Sequence, residues 1–141
     1  MLLGKYQHNI DAKGRMFIPA KFRDDLGSSF YLTKGQGECI YIYSRDEWDK
    51  IINKISELPF KLRHTMNTYF GSSCIDVDVD KQGRVVVPAE LRKFANLLDS
   101  NTVTIIGATD HGEIWLPEAW EKRERELNEL DIFEEFEKSG F

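Results

Sequence analysis

The chain has 141 residues, 41% hydrophobic and 30% charged, with 19 Lys and Arg against 24 Asp and Glu. That balance suits a folded globular domain. It excludes a disordered chain, and apolar runs as short as Val85-Val86-Val87 exclude a membrane span. The net charge of −5 does not by itself favour an anionic partner, but it is unevenly spread. Glu118 to the C-terminus holds nine acidic against four basic residues, whereas residues 1–45 hold seven basic against four acidic.

The N-terminal MLLGKYQHN lacks the apolar run of a secretory leader, which points to the cytoplasm. A strand leads into the turn Asp11-Ala12-Lys13-Gly14, where Gly supplies a backbone conformation that other residues resist. The apolar strand Met16-Phe17-Ile18 follows and stops at Pro19, which cannot continue a ladder and opens a helix over Ala20–Leu26. Strands are expected at Phe30–Thr33 and Cys39–Tyr43. Ser44 with Glu47 makes a capping box for a helix over Asp46–Ser56. Leu58-Pro59 joins this helix to a second amphipathic stretch, Lys61–Phe70.

The plan then restarts. A strand enters the turn Asp80-Lys81-Gln82-Gly83, and Val85-Val86-Val87 ends at Pro88 before a helix over Ala89–Leu97. Strands are expected at Val103–Ile106 and Glu113–Leu116. Pro117 opens a last helix expected to reach about Glu137, with Trp120, Leu127, Leu130 and Phe133 at helical spacing.

The two passages align residue by residue. Ile10 pairs with Val79, Asp11 with Asp80, Gly14-Arg15 with Gly83-Arg84, Pro19-Ala20 with Pro88-Ala89, and Trp48 with Trp120. The chain therefore divides into a first half over 1–60, a connecting helix over 61–72, a second half over 73–120 and an acidic C-terminal helix over 121–141. Neither half has enough strands to close a core. The expected architecture is one α+β barrel of interlocked, duplicated halves with flanking helices.

Two matched aspartates could form an acid dyad. However, the cations beside Asp11 and Asp80 favour two ionised carboxylates over a shared proton. His8, His64 and His111 are scattered without a nucleophile, and Gly35-x-Gly37 lacks the rest of a phosphate-binding loop. Cys39 and Cys74 have no metal-ligand spacing and are expected as reduced thiols within strands. No catalytic residue, metal or cofactor is expected. Asp11, Gly14, Asp80 and Gly83 serve the turns. A turn needs no long cation, so Lys13 and Arg15, with Lys81 and Arg84 in the second copy, are the candidates for contact with phosphates and guanine.

The segments MLLGKYQHNIDAKGRMFIPAKFRDDL, GECIYIYSRDEW, DKQGRVVVPAELRKFA and GEIWLPEAWE together resemble the MraZ family of bacterial transcriptional regulators of the cell-division and cell-wall gene cluster. The resemblance covers residues 1–120 with both Asp-x-x-Gly-Arg copies. It implies a double-psi-like barrel related to the AbrB and SpoVT swapped-hairpin DNA-binding folds. It also implies a homo-oligomeric ring of about eight to twelve subunits acting at the nucleoid. Such rings bind direct repeats of double-stranded DNA upstream of their own operon, usually as repressors, with no membrane and no small-molecule substrate. The DNA-facing positions implied are Lys13, Arg15 and Arg84. Because Gln82 stands opposite Lys13 and Lys81 opposite Ala12, the first copy is expected to be the stronger reader. The competing class is a non-catalytic double-psi-barrel module that binds other proteins.

Overall fold

Strand-forming residues and turn residues alternate through each half, and the computed structural model, which describes residues 1–140, shows how the halves use them. The first half supplies β1 (Leu2–Asn9), β2 (Arg15–Phe17), β3 (Ser29–Lys34) and β4 (Ile40–Tyr43). The second supplies β5 (Ile75–Asp78), β6 (Arg84–Val86), β7 (Thr102–Thr109) and β8 (Gly112–Trp115). Six strands form an antiparallel sheet in the order β1-β7-β8-β4-β3-β5, and β2 pairs with β6 in a two-stranded ribbon. Exchanging first-half strands for second-half strands returns the same order reversed, so the sheet has a pseudo-twofold axis between β4 and β8.

The halves are swapped into each other. Strand β1 lies on β7 of the other half, and β5 lies on β3. The ribbon closes the circuit. Ile10 bridges to Met16, Asp11 N–H donates to the Arg15 carbonyl at 3.1 Å, and Asp80 N–H donates to the Arg84 carbonyl at 2.8 Å. The expected interlocked barrel is thus the one formed, with β1 running on into the ribbon through the Ile10–Met16 bridge.

Alternation along the strands fills this barrel. Met16, Ile18, Phe22, Phe30, Leu32, Ile42, Val85, Val87, Val103, Ile105 and Ile114 are buried in one core drawn from both halves. Burying each large apolar side chain contributes about 1.5–3 kcal/mol, and no half owns enough of them alone. A one-turn 3-10 helix over Ala20–Phe22 leads into α1 (Arg23–Leu26), and its equivalent is α4 (Ala89–Phe94). Phe22 from the first and Leu91 from the second are both buried in the shared core.

Helix α2 (Arg45–Ser56) ends the first half, and α3 (Phe60–Ser73) connects it to the second. Ser44 Oγ caps α2 by accepting from Glu47 N–H at 3.2 Å. Trp48 is buried against Tyr31, Tyr43 and Phe70. Trp120 is half-buried, edge-on to Trp115.

Two expectations need correcting. The last helix is not continuous to Glu137. It divides into α5 (Pro117–Glu129) and α6 (Ile132–Lys138), because Leu130 turns extended and the Asp131 carboxylate caps a new helix at Glu134 N–H. Neither cysteine lies within a strand. Cys39 precedes β4 and donates to the Gln36 carbonyl, while Cys74 caps the end of α3. Burial pushes their thiols up to about 12 and about 11, so both stay protonated and unreactive.

The β7–β8 turn carries a partly buried charge constellation. His111 Nδ1 lies 2.7 Å from Asp110 and Nε2 lies 2.8 Å from Glu113, with the ring packed on Tyr41 and Tyr43. Burial alone would lower the imidazole pKa. The hydrogen bonds to Glu113 and Asp110 outweigh it and raise the value above 6.5. A raised folded-state value stabilises the fold fully below about pH 6.5 and loses that contribution as pH rises through the folded value. The melting temperature of the wild type, measured relative to His111→Gln, should therefore fall as pH is raised from 6 towards 9. A difference independent of pH would contradict the charged pairing.

Candidate nucleic-acid interface

The two Asp-x-x-Gly-Arg turns adopt one geometry. Asp11 Oδ1 accepts from Lys13 N–H at 3.0 Å and Arg15 N–H at 2.9 Å, while Oδ2 accepts from Arg15 Nε at 2.6 Å. In the second copy Asp80 Oδ1 accepts from Gln82 and Arg84 N–H, both at 2.9 Å, and Oδ2 accepts from Arg84 Nε at 3.0 Å. Gly14 and Gly83 sit at φ 85° and 86°, which closes the turn where side chains resist. The backbone N–H of Arg15 and Arg84 is the largest influence holding the two carboxyls below their ordinary value; desolvation opposes it, and the guanidinium adds to it. Both aspartates are therefore ionised, which rules out an acid pair sharing one proton.

Both carboxylates are solvent-exposed and the guanidinium groups partly so, and solvent screening leaves each pair little direct stabilising effect. Their effect is orientation. Each aspartate holds only the Nε edge of its arginine. Among the described residues, the Nη groups of Arg15 and Arg84 have no other hydrogen-bond partner in the chain and can meet a ligand.

The ribbon fixes where they point. Arg15 pairs with Val86, Met16 with Val85, and Phe17 with Arg84. Alternation buries Met16 and Val85 and turns Arg15, Phe17, Arg84 and Val86 to the opposite face. Ile18 N–H donates to the Gly83 carbonyl at 3.2 Å, and Val87 N–H donates to the Gly14 carbonyl at 2.8 Å, so each half secures the other's turn. Arg15 and Arg84, sixty-nine positions apart, consequently line one open groove of about 1040 Å³ with Phe17, Gln7, Asn9 and Asn101. Lys13 and Lys81 sit at the exposed tips of the turns and do not line that groove.

Sequence reasoning missed the arginines that secure the turns. Arg92 Nε donates to the Val87 carbonyl at 2.9 Å, and its Nη1 reaches the Ala12 carbonyl at 3.5 Å, laying the guanidinium beside Gly14. Arg23 lies symmetrically against Gly83. The signal was the Arg that ends each Pro-Ala-x-φ-Arg phrase, but only the swap reveals that each serves the other half's turn. Gln7, Asn9 and Asn101 were also missed, since exposed amides carry no pattern of their own. Among the described residues, no cluster of three or more His, Cys, Asp or Glu could hold a metal ion, and no helix is long and apolar enough to cross a membrane.

The fold and groove together define a duplicated, swapped-hairpin barrel that presents a ribbon carrying two arginines. A family model described as "MraZ protein, putative antitoxin-like" matches residues 1–68 and 74–139, and the chain belongs to the MraZ family. A transcriptional regulator MraZ of Caldanaerobacter subterraneus subsp. tengcongensis is 44% identical over 86% of this chain and 85% of its own length. Relatives of the same name from Thermoanaerobacter sp. (strain X514) and Desulforamulus reducens are 44% and 40% identical, each over 86% of this chain and 85% and 86% of their own lengths. Among solved structures, the solution structure of PHS018 from Pyrococcus horikoshii covers 82% of this chain and 91% of its own at 16% identity. Its TM-score of 0.35 is too low to bear on fold or function.

A methyl group added at Gly14 would sit 2.5 Å from the Val87 carbonyl oxygen and 2.7 Å from Arg92 Nε, and at Gly83 it would collide with the Arg23 guanidinium. With positive φ at both positions, Gly14→Ala and Gly83→Ala should each destabilise the fold by roughly 1–3 kcal/mol. Denaturant unfolding checks this, and wild-type midpoints would show that the turns are not held as described.

Proposed function

We propose that this chain is a DNA-binding regulator of transcription in which Arg15 and Arg84 contact double-stranded DNA from the outer face of the ribbon. The observation that carries the reading is the convergence of both arginines, each held by its Nε edge with its Nη groups free, in one open groove. Guanidinium groups presented in this way suit phosphate oxygens or the O6 and N7 edge of guanine. A two-stranded ribbon is also narrow enough to enter a major groove. The shared name of the relatives, transcriptional regulator, supports the same reading.

The finer reading follows the family. The chain acts in the cytoplasm at the nucleoid as a ring of about eight to twelve subunits on direct repeats upstream of its own cell-division and cell-wall operon, as a repressor. Lys13 and Lys81 add phosphate contacts from the turn tips, Asp11, Gly14, Asp80 and Gly83 hold the turns, and the activity is binding without catalysis. Two features support assembly. One subunit offers few cations, so useful affinity requires several subunits acting together on adjacent repeats. Large apolar side chains also stand in solvent on the helices, with Phe60 74% and Phe133 79% exposed.

A mobility-shift titration on the duplex upstream of the chain's own gene tests the reading. Arg15→Ala and Arg84→Ala should each weaken binding about tenfold or more, and the logarithmic salt slope should become shallower by about one for each phosphate left unneutralised. Folded variants that bind as the wild type does would remove the arginines from the interface. Salt-independent behaviour with no duplex binding at all would favour the protein-interaction module.

A further inference from the structure

Carrying the repeat register back from Ile10 and Val79 sets Gln7 against Asp76 and Asn9 against Asp78. Strand pairing gives the same equivalence. Gln7 faces Thr104 and Asn9 faces Thr102 on β7, while Asp76 faces Tyr31 and Asp78 faces Ser29 on β3. Val103 and Phe30, lying between those partners, are both fully buried, so the four side chains occupy matched outer positions, and all four are exposed. At the same two places, then, the first half presents neutral amides and the second half presents carboxylates.

The difference falls beside the arginines. Gln7 and Asn9, with Asn101, line the groove that holds Arg15 and Arg84. An Asn or Gln amide both donates and accepts along one edge, which matches adenine N6 and N7 in the major groove. A carboxylate only accepts, and phosphates repel it. The second edge is also occupied. Asp76 lies 3.6 Å from Arg45, which donates to the Tyr31 hydroxyl at 2.8 Å and stacks over that ring. On the first edge, Lys5 is held by Glu124 at 3.2 Å, and Asp11 is committed to its turn. The amides are therefore the uncommitted groups there.

We propose that Gln7 and Asn9 of the first half, with Asn101 of the second half beside them, are the base-reading side chains at the β1 edge, and that Asp76 and Asp78 bar the β5 edge from the same role, so that each subunit lies on duplex DNA in a single orientation. This rests on the DNA-binding reading above and deepens it. A barrel with two equal reading edges would accept a site and its reverse complement alike, because the pseudo-twofold axis would superpose them. Unequal edges give each subunit a polarity, and head-to-tail repeats require polarity.

The full chain, selected against a random duplex library and measured by fluorescence anisotropy across a salt series, tests this. The Gln7→Ala, Asn9→Ala double variant should lose roughly tenfold or more of its preference for the selected duplex over random duplex. Its salt slope should be unchanged, since no phosphate-binding cation is removed. An undiminished preference would overturn the reading role. Should the double variant fail to fold, Asn101→Ser carries the question, with a roughly fivefold loss of preference expected and no loss overturning it. Asp78→Asn, which leaves the Arg45 pair intact, should tighten random-duplex binding and select sites in which the consensus appears beside its reverse complement. An unchanged affinity with unchanged orientation would overturn the barring role. A wild type that enriches no duplex would instead overturn the DNA-binding reading itself, and this proposal with it.

Discussion

The structure depends on the pairing of β2 with β6 at the pseudo-twofold axis. Each ribbon strand is only three residues long, and one alone would be an unpaired edge. Paired, with Ile18 and Val87 donating into the opposite turns, they close the barrel and seal Met16 and Val85 into its core. The same pairing sets the outer face. A side-chain period of two means that burying Met16 and Val85 obliges Arg15 and Arg84 to face outward together. The constraint that makes the core also makes the candidate interface.

Around this ribbon, weak contacts act mainly through geometry. The Asp11–Arg15 and Asp80–Arg84 pairs are too exposed to add much stability. They hold one edge of each guanidinium while the aspartate's other oxygen gathers two backbone N–H groups. Arg92 and Arg23 then secure the turns from across the axis, each from the half that does not own the turn it touches. A candidate interface held by its own turns and ribbon needs little reordering to meet a ligand, which reduces the ordering cost of binding. The swap also couples its two sides, because neither turn can be held without the other half's helix.

Duplication gives symmetry, and specific recognition of a polar sequence requires breaking it. The shared fold demands Asp, Gly, Pro and the inward-facing apolar residues in both copies, so these repeat. Positions free of that demand have diverged: Lys13 against Gln82, Gln7 against Asp76 and Asn9 against Asp78. What the fold cannot tolerate losing is the same in both halves, and what differs lies on the surface around the ribbon.

Much of this was legible in the chain itself. The repeat, the turn residues, the helix-opening prolines and the strands around Phe30, Ile42, Ile105 and Ile114 follow from local rules of conformation and alternation, which act between near neighbours. The break in the last helix was masked, because the helical spacing of Leu127, Leu130 and Phe133 runs straight across it, although Asp131 with Glu134 three places on carries a local capping signal. The partners were not legible either. That β1 lies on the other half's β7, that Arg92 serves Gly14, and that Arg15 and Arg84 share a groove with Gln7, Asn9 and Asn101 are decided by contacts between residues about seventy to one hundred positions apart. By itself the sequence determined two copies of a strand-turn-strand-helix unit, each with a cation behind an aspartate turn. Only the tertiary structure decided how the copies interlock, with β1 on β7, β5 on β3 and β2 on β6, because which strand meets which depends on contacts between distant residues, which no local pattern states.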